Sequence, residues 1–390
     1  MKMNKWTVGL AAAGVVSLAS TAQAEENSVL TALSSTVISG SVEASYVGGF
    51  SASNNMHNDG GFEANGASLD IGSPLGEGDY SASYNVGLLF GNRAGAFAGD
   101  GSTQHLKTAN IGMNLPFGNG VDLTLGLFDT TVGYEVEASA SNPNVMRSFG
   151  YAQEPLTHTG LLAATSLTDG LSVSFALTNG FDSSNGDNDG AGQLGYVLGA
   201  ELVAPESLGF LGGSTLYVGY VNGNDEGNWN NTVAVPDDPA TADVDESGTV
   251  DTYNGDDNTL LYIGASLPTP IEGLAIGVAY DDRVWEAANG HTESDSVGVY
   301  ATYSLSDDAT ISARYDNGTV QFLSFEDSFE NLALTLDYSI WENVLTRLEL
   351  GWESGVGAFG TQAVSQFRDV YDGAAAGNSS YFALNAFYSF

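Results

Sequence analysis

Cysteine is absent from this 390-residue sequence. Disulfide bonds and metal sites built from thiolates are therefore excluded. Long hydrophobic runs are also missing, because no segment after residue 24 approaches the roughly 18 uninterrupted apolar residues that a membrane-spanning helix needs. If the protein enters a membrane, it must cross that membrane as strands.

Basic residues are scarce, with nine lysines and arginines against 48 acidic residues and a formal net charge of −39. Such a surface repels nucleic acid and attracts cations. Disorder is the plain alternative for a highly charged chain, but 43% hydrophobic and 11% aromatic residues are too many for it. Fifty glycines against nine prolines are typical of a chain made of strands and turns.

Residues 1–24 have the pattern of a secretory signal peptide: basic MKMNK, an apolar stretch, and TAQA before a predicted cut after Ala24. Its removal takes away Lys2 and Lys5, which makes the acidic excess larger still. We therefore expect an exported chain with a short N-terminal periplasmic segment at 25–35 and one large domain at 36–390.

Sixteen short segments of alternating apolar and polar residues follow the leader, each bounded by Gly, Asn, Asp or Ser clusters. They cover approximately residues 36–50, 64–73, 79–90, 104–116, 120–129, 156–167, 170–180, 193–203, 213–222, 259–267, 271–283, 295–305, 308–316, 331–341, 343–353 and 379–390. Short connections such as TDG alternate with long ones such as residues 223–258. The predicted fold class is therefore all-β, a transmembrane antiparallel β-barrel of about 16 strands with short periplasmic turns and long extracellular loops. A soluble sandwich is the alternative, although one core of that many strands is large for a sandwich.

The two faces of the predicted strands suit a wall between lipid and water. One face of 331–341 carries Leu332, Leu334, Leu336, Tyr338 and Ile340, and the other carries Ala333, Thr335, Asp337 and Ser339. Aromatic side chains concentrate at strand ends, where interfacial girdles lie: Tyr46, Tyr80, Phe90, Phe128, Tyr280, Tyr303, Tyr338 and Trp352.

The last predicted strand, SSYFALNAFYSF, ends in an apolar face that includes Tyr388 and Phe390. It looks like the C-terminal signal by which bacterial outer-membrane proteins are handed to their insertion machinery. The sequence therefore predicts the outer membrane of a Gram-negative bacterium, with that machinery, outer-membrane lipid and lipopolysaccharide as partners.

A barrel of 16 strands is wide enough to leave an aqueous channel, so we expect a pore for ions and small hydrophilic solutes. The connection at 129–155 lies where general porins fold a loop into the lumen, and an ordinary external loop is the alternative. Folded inward, this loop would bring Glu135, Glu137, Glu154 and Arg147 to the constriction. Strand positions expected to face the lumen are Glu43, Asp70, Asp122, Asp281, Arg314, Asp316, Asp337, Arg347 and Glu349.

Acidic residues outnumber basic ones at these positions, which predicts cation selectivity because carboxylates raise the local concentration of cations. Arg314 and Arg347 would either oppose the acidic loop or simply pair with neighbouring carboxylates, as Arg347 would with Glu349 or Asp337. Barrels of this size often form homotrimers, although no motif in the sequence requires one.

Residues 133–182 resemble the β-barrel porin family called OmpL-like, or porin-2. The likeness is carried by Gly-Tyr-Glu at 133–135, Asn-Pro-Asn at 142–144, Arg-Ser at 147–148, THTG at 157–160 and NGFD at 179–182. The likeness is close over these residues and rests elsewhere on architecture. The resemblance implies a porin-like barrel and assigns neither a solute nor functional residues.

Other motifs give weaker signals. In residues 243–254, the ligands Asp243, Asp245, Ser247, Thr249 and Asp251 match a calcium loop, but position 12 is Asn254 in place of the usual Glu. A weak calcium site and a solvated acidic loop both fit, and no other cofactor is expected. Nothing selects a catalytic triad, so the protein is not expected to be an enzyme; a non-conducting adhesin or structural barrel, or less readily a barrel hydrolase, is the alternative to a pore.

Overall fold

The computed structural model describes residues 36–49, 61–76, 78–99, 101–183, 194–223, 258–287, 290–322, 325–354 and 379–390. Within these residues, sixteen antiparallel strands form one closed barrel in which every strand pairs with its neighbours along the chain and β1 pairs with β16. The strands are β1 (Val37–Gly49), β2 (Gly61–Ser73), β3 (Ala82–Phe90), β4 (Gln104–Leu115), β5 (Val121–Asp129), β6 (Thr157–Thr168), β7 (Leu171–Thr178), β8 (Gly195–Val203), β9 (Thr215–Asn222), β10 (Asn258–Pro268), β11 (Leu274–Ala287), β12 (Gly290–Ser306), β13 (Ala309–Phe322), β14 (Phe325–Trp341), β15 (Val344–Ser354) and β16 (Ser379–Ser389). The predicted leader at 1–24, the segment 25–35 and the predicted calcium segment 243–254 lie outside the described residues.

The predicted fold class and strand order are confirmed, but three strands are longer than their apolar patterns indicate. β12, β13 and β14 continue beyond the predicted segments 295–305, 308–316 and 331–341. The additional residues of β12 are polar on both faces, for example Glu293 and Ser294. The backbone of β12 still pairs with β13 there, although neither face of the strand is apolar. The alternation of apolar and polar residues therefore ends before the hydrogen bonds between the strands do.

The outward faces of the strands form an apolar band. On β14, Leu332, Leu334 and Leu336 are about 40% exposed to the surroundings (40%, 38% and 41%), whereas Ala333 and Thr335 between them are buried inside the barrel. The outward apolar row runs from Leu332 to Ile340, eight residue steps, which is about 26 Å along the strand and about 20 Å along the membrane normal at a tilt of about 40°. That height is close to the apolar band of outer-membrane barrels.

Tyrosines mark the upper boundary of this band. The Tyr280 hydroxyl donates to Asp282 at 3.3 Å, and the Tyr315 hydroxyl donates to Glu330 at 3.2 Å. In each pair, the tyrosine ring lies at the edge of the apolar band and its hydroxyl bonds a carboxylate just outside that band. This arrangement is expected of an interfacial aromatic girdle. Phe128 is an exception to the predicted girdle, because it lies on the inner face and packs in an apolar cluster inside the barrel.

Two α-helices lie between strands in the described residues, and both belong to connections at the long-loop rim: α1 (Asn92–Ala98) and α2 (Phe149–Gln153). No helix in the described residues is long and apolar enough to cross a membrane. Contacts of α1 with β2, β3 and β4, and of α2 with β11, β12 and β13, connect the two segments with opposite sides of the barrel.

Candidate functional site

The connection between β5 and β6, residues 130–156, folds into the barrel; we call it the inward loop. Its tip reaches the inner faces of β14 and β15, where the Asn144 side-chain amide donates to the Thr335 hydroxyl at 2.7 Å. Asn144 and Thr335 are almost completely buried. The loop therefore crosses the lumen and does not extend outside the barrel.

Glu349 on β15 binds the tip of the inward loop. Its carboxylate accepts the backbone N–H groups of Val145 at 2.5 Å and Met146 at 3.1 Å, one on each oxygen. The same two oxygens accept the hydroxyls of Thr335 at 2.6 Å and Tyr381 at 2.9 Å. Four donors thus compensate a carboxylate that is fully buried, and two of them come from the loop backbone.

Arg347 and Arg314 hold the loop from the same wall. Arg347 pairs with Asp337 at 2.8 Å and donates to the carbonyls of Ser139 and Asn142 at 2.8 and 2.7 Å. These bonds use its planar fork of donors on one neighbouring carboxylate and on two loop carbonyls.

Arg314 on β13 follows the same pattern. It pairs with Asp316 at 2.7 Å and with Glu135 of the loop at 3.1 Å, and it donates to the carbonyls of Met146 and Arg147. The two alternatives raised by the sequence are therefore combined, since Arg314 and Arg347 each pair with a neighbouring carboxylate and also bind the loop.

A second inward segment contacts the opposite side of the loop. Arg93 of α1 forms a bidentate pair with Glu137, with its second bond at 2.8 Å. Lys107 on β4 lies 3.0 Å from Asp129 and 3.8 Å from Glu137. Burial opposes ionisation of Glu137, but the charges of Arg93 and Lys107 outweigh it and lower the pKa of Glu137 to about 2.

Sequence reasoning missed Arg93 and Lys107 as site residues. The segment GNRAGAFAGDG reads as an ordinary glycine-rich loop, and its short helix has no side-chain cap that would mark its start. Its apolar face, including Phe97, packs against Leu89 of β3 and Leu156 at the end of the inward loop. The one available signal was a lone arginine inside a small, apolar-rich connection.

The basic residues of the described chain share one property: each contacts the inward loop or lies within it. They are Arg93, Lys107, Arg147, Arg283, Arg314 and Arg347. Arg147 donates to the Glu137 carbonyl at 2.6 Å within the loop, and Arg283 on β11 donates to the Gln153 carbonyl at 3.0 Å. Within the described residues, the lysine and arginine side chains thus all bind or belong to the inward loop.

Apolar contacts anchor the first part of the loop. Val132 is buried in a cluster with inner-face residues of β5 to β12, and the Tyr134 ring stacks on Tyr300 with centroids 4.1 Å apart. Glycines make room for both side chains, because a Cβ at Gly219 would meet Val132 and a Cβ at Gly277 would meet the Tyr134 ring. The alternating pattern of these strands gave no indication that part of their inner face is apolar and covered.

Glu154 closes the loop beside the wall. Its buried carboxyl lies against Gly133 at the start of the loop. Burial raises the pKa of Glu154 well above its usual value, and the neighbouring carboxyls of Asp281 and Glu135 raise it further. Of the predicted constriction residues, Glu135 and Glu137 therefore pair with basic side chains that anchor the loop, and Glu154 is buried against the loop itself.

The fold and this loop agree with a comparison by family. The family model described as "Putative beta-barrel porin-2, OmpL-like" matches residues 35–390. The chain belongs to this porin family. The family implies a porin-like barrel in the outer membrane.

Solved structures similar to this porin share its fold at low sequence identity. An anion-selective porin from Comamonas acidovorans has a TM-score of 0.61 and 11% identity over 91% of this chain and 99% of that chain. The trimer form of OmpT from Vibrio cholerae (0.56, 13%, 91% and 99%) and the outer-membrane channel DcaP of Acinetobacter baumannii (0.56, 11%, 91% and 97%) are also similar. No curated protein matches the sequence. At these identities the solved structures show the fold alone.

The residues that carry the family resemblance are structural parts of the loop. Gly133 has a φ of 113°, and its Cα lies against the Glu154 carboxyl, where a Cβ has no room. The Asn142 side chain bonds the N–H and the carbonyl of Val136 at 2.8 and 2.7 Å, and the Ser148 hydroxyl caps α2. The porin motif thus describes how the loop folds on itself and on the wall.

The second half of the motif closes the mouth of the same loop. Asp182 of NGFD accepts the N–H groups of Leu156 and Thr157 at 3.3 and 3.2 Å, and the Phe181 ring lies 4.3 Å from the Arg283 guanidinium. The connection after β7 therefore folds over the end of the inward loop, where β6 begins.

Two other predicted sites remain, the C-terminal signal and the calcium segment. Tyr388 and Phe390 lie on the outer face, 47% and 53% exposed, where the Phe390 N–H donates to the Gly40 carbonyl at 3.0 Å. Their role in assembly stays a prediction. Within the described residues, no group of three or more His, Asp and Glu side chains is arranged to hold a metal, and Asp243 to Asp251 lie outside those residues.

Proposed function

We propose that this porin forms a water-filled, cation-selective diffusion channel for small hydrophilic solutes and ions, narrowed by the inward loop. One observation carries the proposal: in the described chain, each positively charged side chain contacts the inward loop or lies within it. Bonds to loop carbonyls and carboxylates neutralise or shield these charges, so they contribute little attraction for anions in the remaining lumen.

Carboxylates without an ion-pair partner supply the opposite field. Asp70 on β2, Asp122 on β5 and Glu201 on β8 lie on the inner face and are partly exposed. Asp122 accepts the Asn114 amide at 2.6 Å, and no described lysine or arginine pairs with any of the three. In a narrow space with low-dielectric walls, such carboxylates raise the concentration of cations and lower that of anions.

The fold does not decide the sign of the selectivity, because an anion-selective porin has a similar fold. The balance of unpaired charge along the lumen must decide it. Among the described residues that balance is negative, because Asp70, Asp122 and Glu201 have no ion-pair partner, and this supports cation selectivity.

The test is the reversal potential of the purified protein in a planar bilayer under a salt gradient. We expect a cation-selective potential in the wild type and a markedly smaller one in the triple variant Asp70→Asn, Asp122→Asn, Glu201→Gln. Asp307→Asn, at an exposed turn between β12 and β13, is the matched control and should leave the potential unchanged. An anion-selective wild type, or a triple variant with the wild-type potential, would refute the proposal.

Homotrimer formation stays a prediction, supported by the trimer form of the similar Vibrio cholerae OmpT. Contacts with lipopolysaccharide and with the insertion machinery also stay predictions, as does calcium binding by the acidic segment.

A further inference from the structure

The three inner-face carboxylates without an ion-pair partner have different neighbours across the strands. Glu201 on β8 lies directly opposite Tyr217 on β9. Asp70 and Asp122 have small or amide residues in the matching positions: Ser39 and Gly87 beside Asp70, and Asn114 and Ala164 beside Asp122. Opposite residues on one sheet face have Cβ atoms about 4.5–5.5 Å apart. Among the three carboxylates, only Glu201 therefore shares its place on the wall with an aromatic ring.

The Tyr217 ring is held against the wall by its packing. A Cβ at Gly199 would collide with the Tyr217 hydroxyl, and a Cβ at Gly219 would lie 3.2 Å from the ring. The ring therefore covers these two glycines, which are opposite one another on β8 and β9. Tyr262 packs beside it with ring centroids 6.0 Å apart, and Val132 of the inward loop fills the space over Gly219. These contacts fix the ring before any solute arrives.

Glu201 and Tyr217 lie between the inward loop and the short-turn rim of the barrel. Each is two residues from that rim, because β8 ends at Val203 and β9 begins at Thr215. Both side chains are on the inner face and partly exposed. A solute that passes the loop in this direction would meet the pair before it leaves the channel.

The surroundings of Glu201 contain hydroxyl groups but no paired cation. Ser172 on β7 is opposite Glu201 on its other side, and its hydroxyl is 3.2 Å from that of Ser166. No described lysine or arginine forms an ion pair with Glu201. An ammonium group would supply the missing charge and donate to the carboxylate, while the aromatic ring attracts the charge and packs on the apolar part of the same molecule.

We propose that Glu201 and Tyr217 form a subsite for organic cations, solutes that carry a protonated amine on an apolar or aromatic body. The inference rests on the proposed channel function and names the class of cation that the channel holds longest. An inorganic cation would use the carboxylate alone. A neutral sugar would use the ring and the hydroxyls but would leave the charge of Glu201 unpaired.

Binding is tested without current, by saturation-transfer NMR in which benzylammonium is titrated against the folded protein in detergent micelles. Removing the ring in Tyr217→Leu should weaken binding by roughly 2- to 30-fold. Glu201→Gln should weaken it by at least as much, because the amide carries no charge. Tyr217→Phe, which keeps the ring, should restore most of the binding that Tyr217→Leu loses.

The matched controls are Tyr220→Leu, on the outer face of β9, and Glu206→Gln, at the exposed turn after β8, and both should bind like the wild type. Heat-modifiable migration on gels checks that every variant is a folded barrel. Equal binding by the wild type, Tyr217→Leu and Glu201→Gln would overturn the subsite, as would a loss of the same size in the controls.

Single-channel recording in potassium chloride separates the subsite from the channel. We expect benzylammonium to interrupt the current, with interruptions shortened in Tyr217→Leu and in Glu201→Gln, and methylammonium, which has no ring, to interrupt it more briefly. Equally long interruptions by methylammonium, or glucose interruptions that depend on Tyr217, would overturn the assignment to organic cations. A cation-selective channel that benzylammonium never interrupts would refute the subsite alone. Benzylammonium bound to a protein that never conducts would instead refute the proposed channel function.

Discussion

The most direct test of how the inward loop is held is the substitution Glu349→Gln, which keeps the size of the side chain. Each oxygen of Glu349 accepts two donors, and each oxygen serves one N–H of the loop tip, Val145 or Met146. A glutamine has one acceptor oxygen, so its amide nitrogen must face one loop N–H and one hydroxyl whichever way it is oriented. The hydroxyl can turn and accept a hydrogen bond from the amide, but the backbone N–H cannot, so one hydrogen bond of the loop is always lost.

The expected magnitude follows from the value of such bonds. A hydrogen bond to a charged group contributes about 1.5–3 kcal/mol, so losing one weakens the docking of the tip by about that amount. The ratio of docked to undocked tip then falls by a factor of roughly 10 to 10², at 1.4 kcal/mol per tenfold change. The barrel itself should remain folded, because its backbone ladder does not pass through this side chain.

Single-channel recording measures the outcome as conductance and open-channel noise, and heat-modifiable migration on gels checks that the barrel is folded. We expect Glu349→Gln to give larger and noisier openings than the wild type. Glu353→Gln is the matched control, because Glu353 lies on the same strand and inner face but bonds Asn331, at 3.4 Å, and not the loop. Quiet, wild-type openings in a folded Glu349→Gln barrel, or the same change in Glu353→Gln, would show that this carboxylate does not hold the tip.

Two further predictions concern the other anchors. Replacing Gly277 with Val should displace the Tyr134 ring, cost about 1–3 kcal/mol of packing free energy and increase channel noise. Gly112→Ala, whose Cβ meets only Ser83 and β5, is the control and should leave the noise unchanged. Equal noise in both variants would contradict the anchoring role of Tyr134. The bonds of Glu137 to Arg93 should persist on acidification, because the pKa of Glu137 is about 2 in the folded protein. Their contribution to stability is complete above the ordinary carboxyl pKa of 4.5 and is lost only as the pH falls towards 2. Wild-type conductance should thus be constant between pH 5 and pH 4, and Glu137→Gln should give noisy openings already at neutral pH; a wild-type change in that range would show that this pair is weaker than its geometry indicates.

The barrel was predictable from the sequence because its signal is repeated in every strand. Leu332 to Ile340 alternate with Ala333 to Ser339, and sixteen such segments separated by turns leave few alternatives. The inner positions of Glu43, Asp281, Arg314 and Glu349 followed from the same parity. Where a strand continues above the lipid, as β12 does at Glu293, apolar and polar residues no longer alternate. The predicted strand therefore ended there, although the real one continues.

The candidate site was only partly predictable, because its contacts join segments far apart in the chain. The sequence located Glu135, Glu137 and Glu154 on the right loop but placed them at an acidic opening. The structure instead pairs Glu135 with Arg314 and Glu137 with Arg93, and it buries Glu154 against Gly133. Nothing local indicates that Arg93 meets Glu137 or that Tyr134 needs the space at Gly277. Such pairings depend on barrel register and closure, which single-sequence patterns do not encode.

The positions of the loop anchors also have a consequence for assembly. The bonds from Arg314 to Arg147 and from Arg347 to Asn142 span 167 and 205 residues of sequence. Contacts of such long range are late events in folding, because the chain between them must first be ordered. The loop therefore has no complete binding surface until β13 to β15 are in place, and its resistance to proteases should appear only when the wall has closed. An enclosed loop would then report that a barrel has been completed, and an exposed one would mark a chain still being assembled.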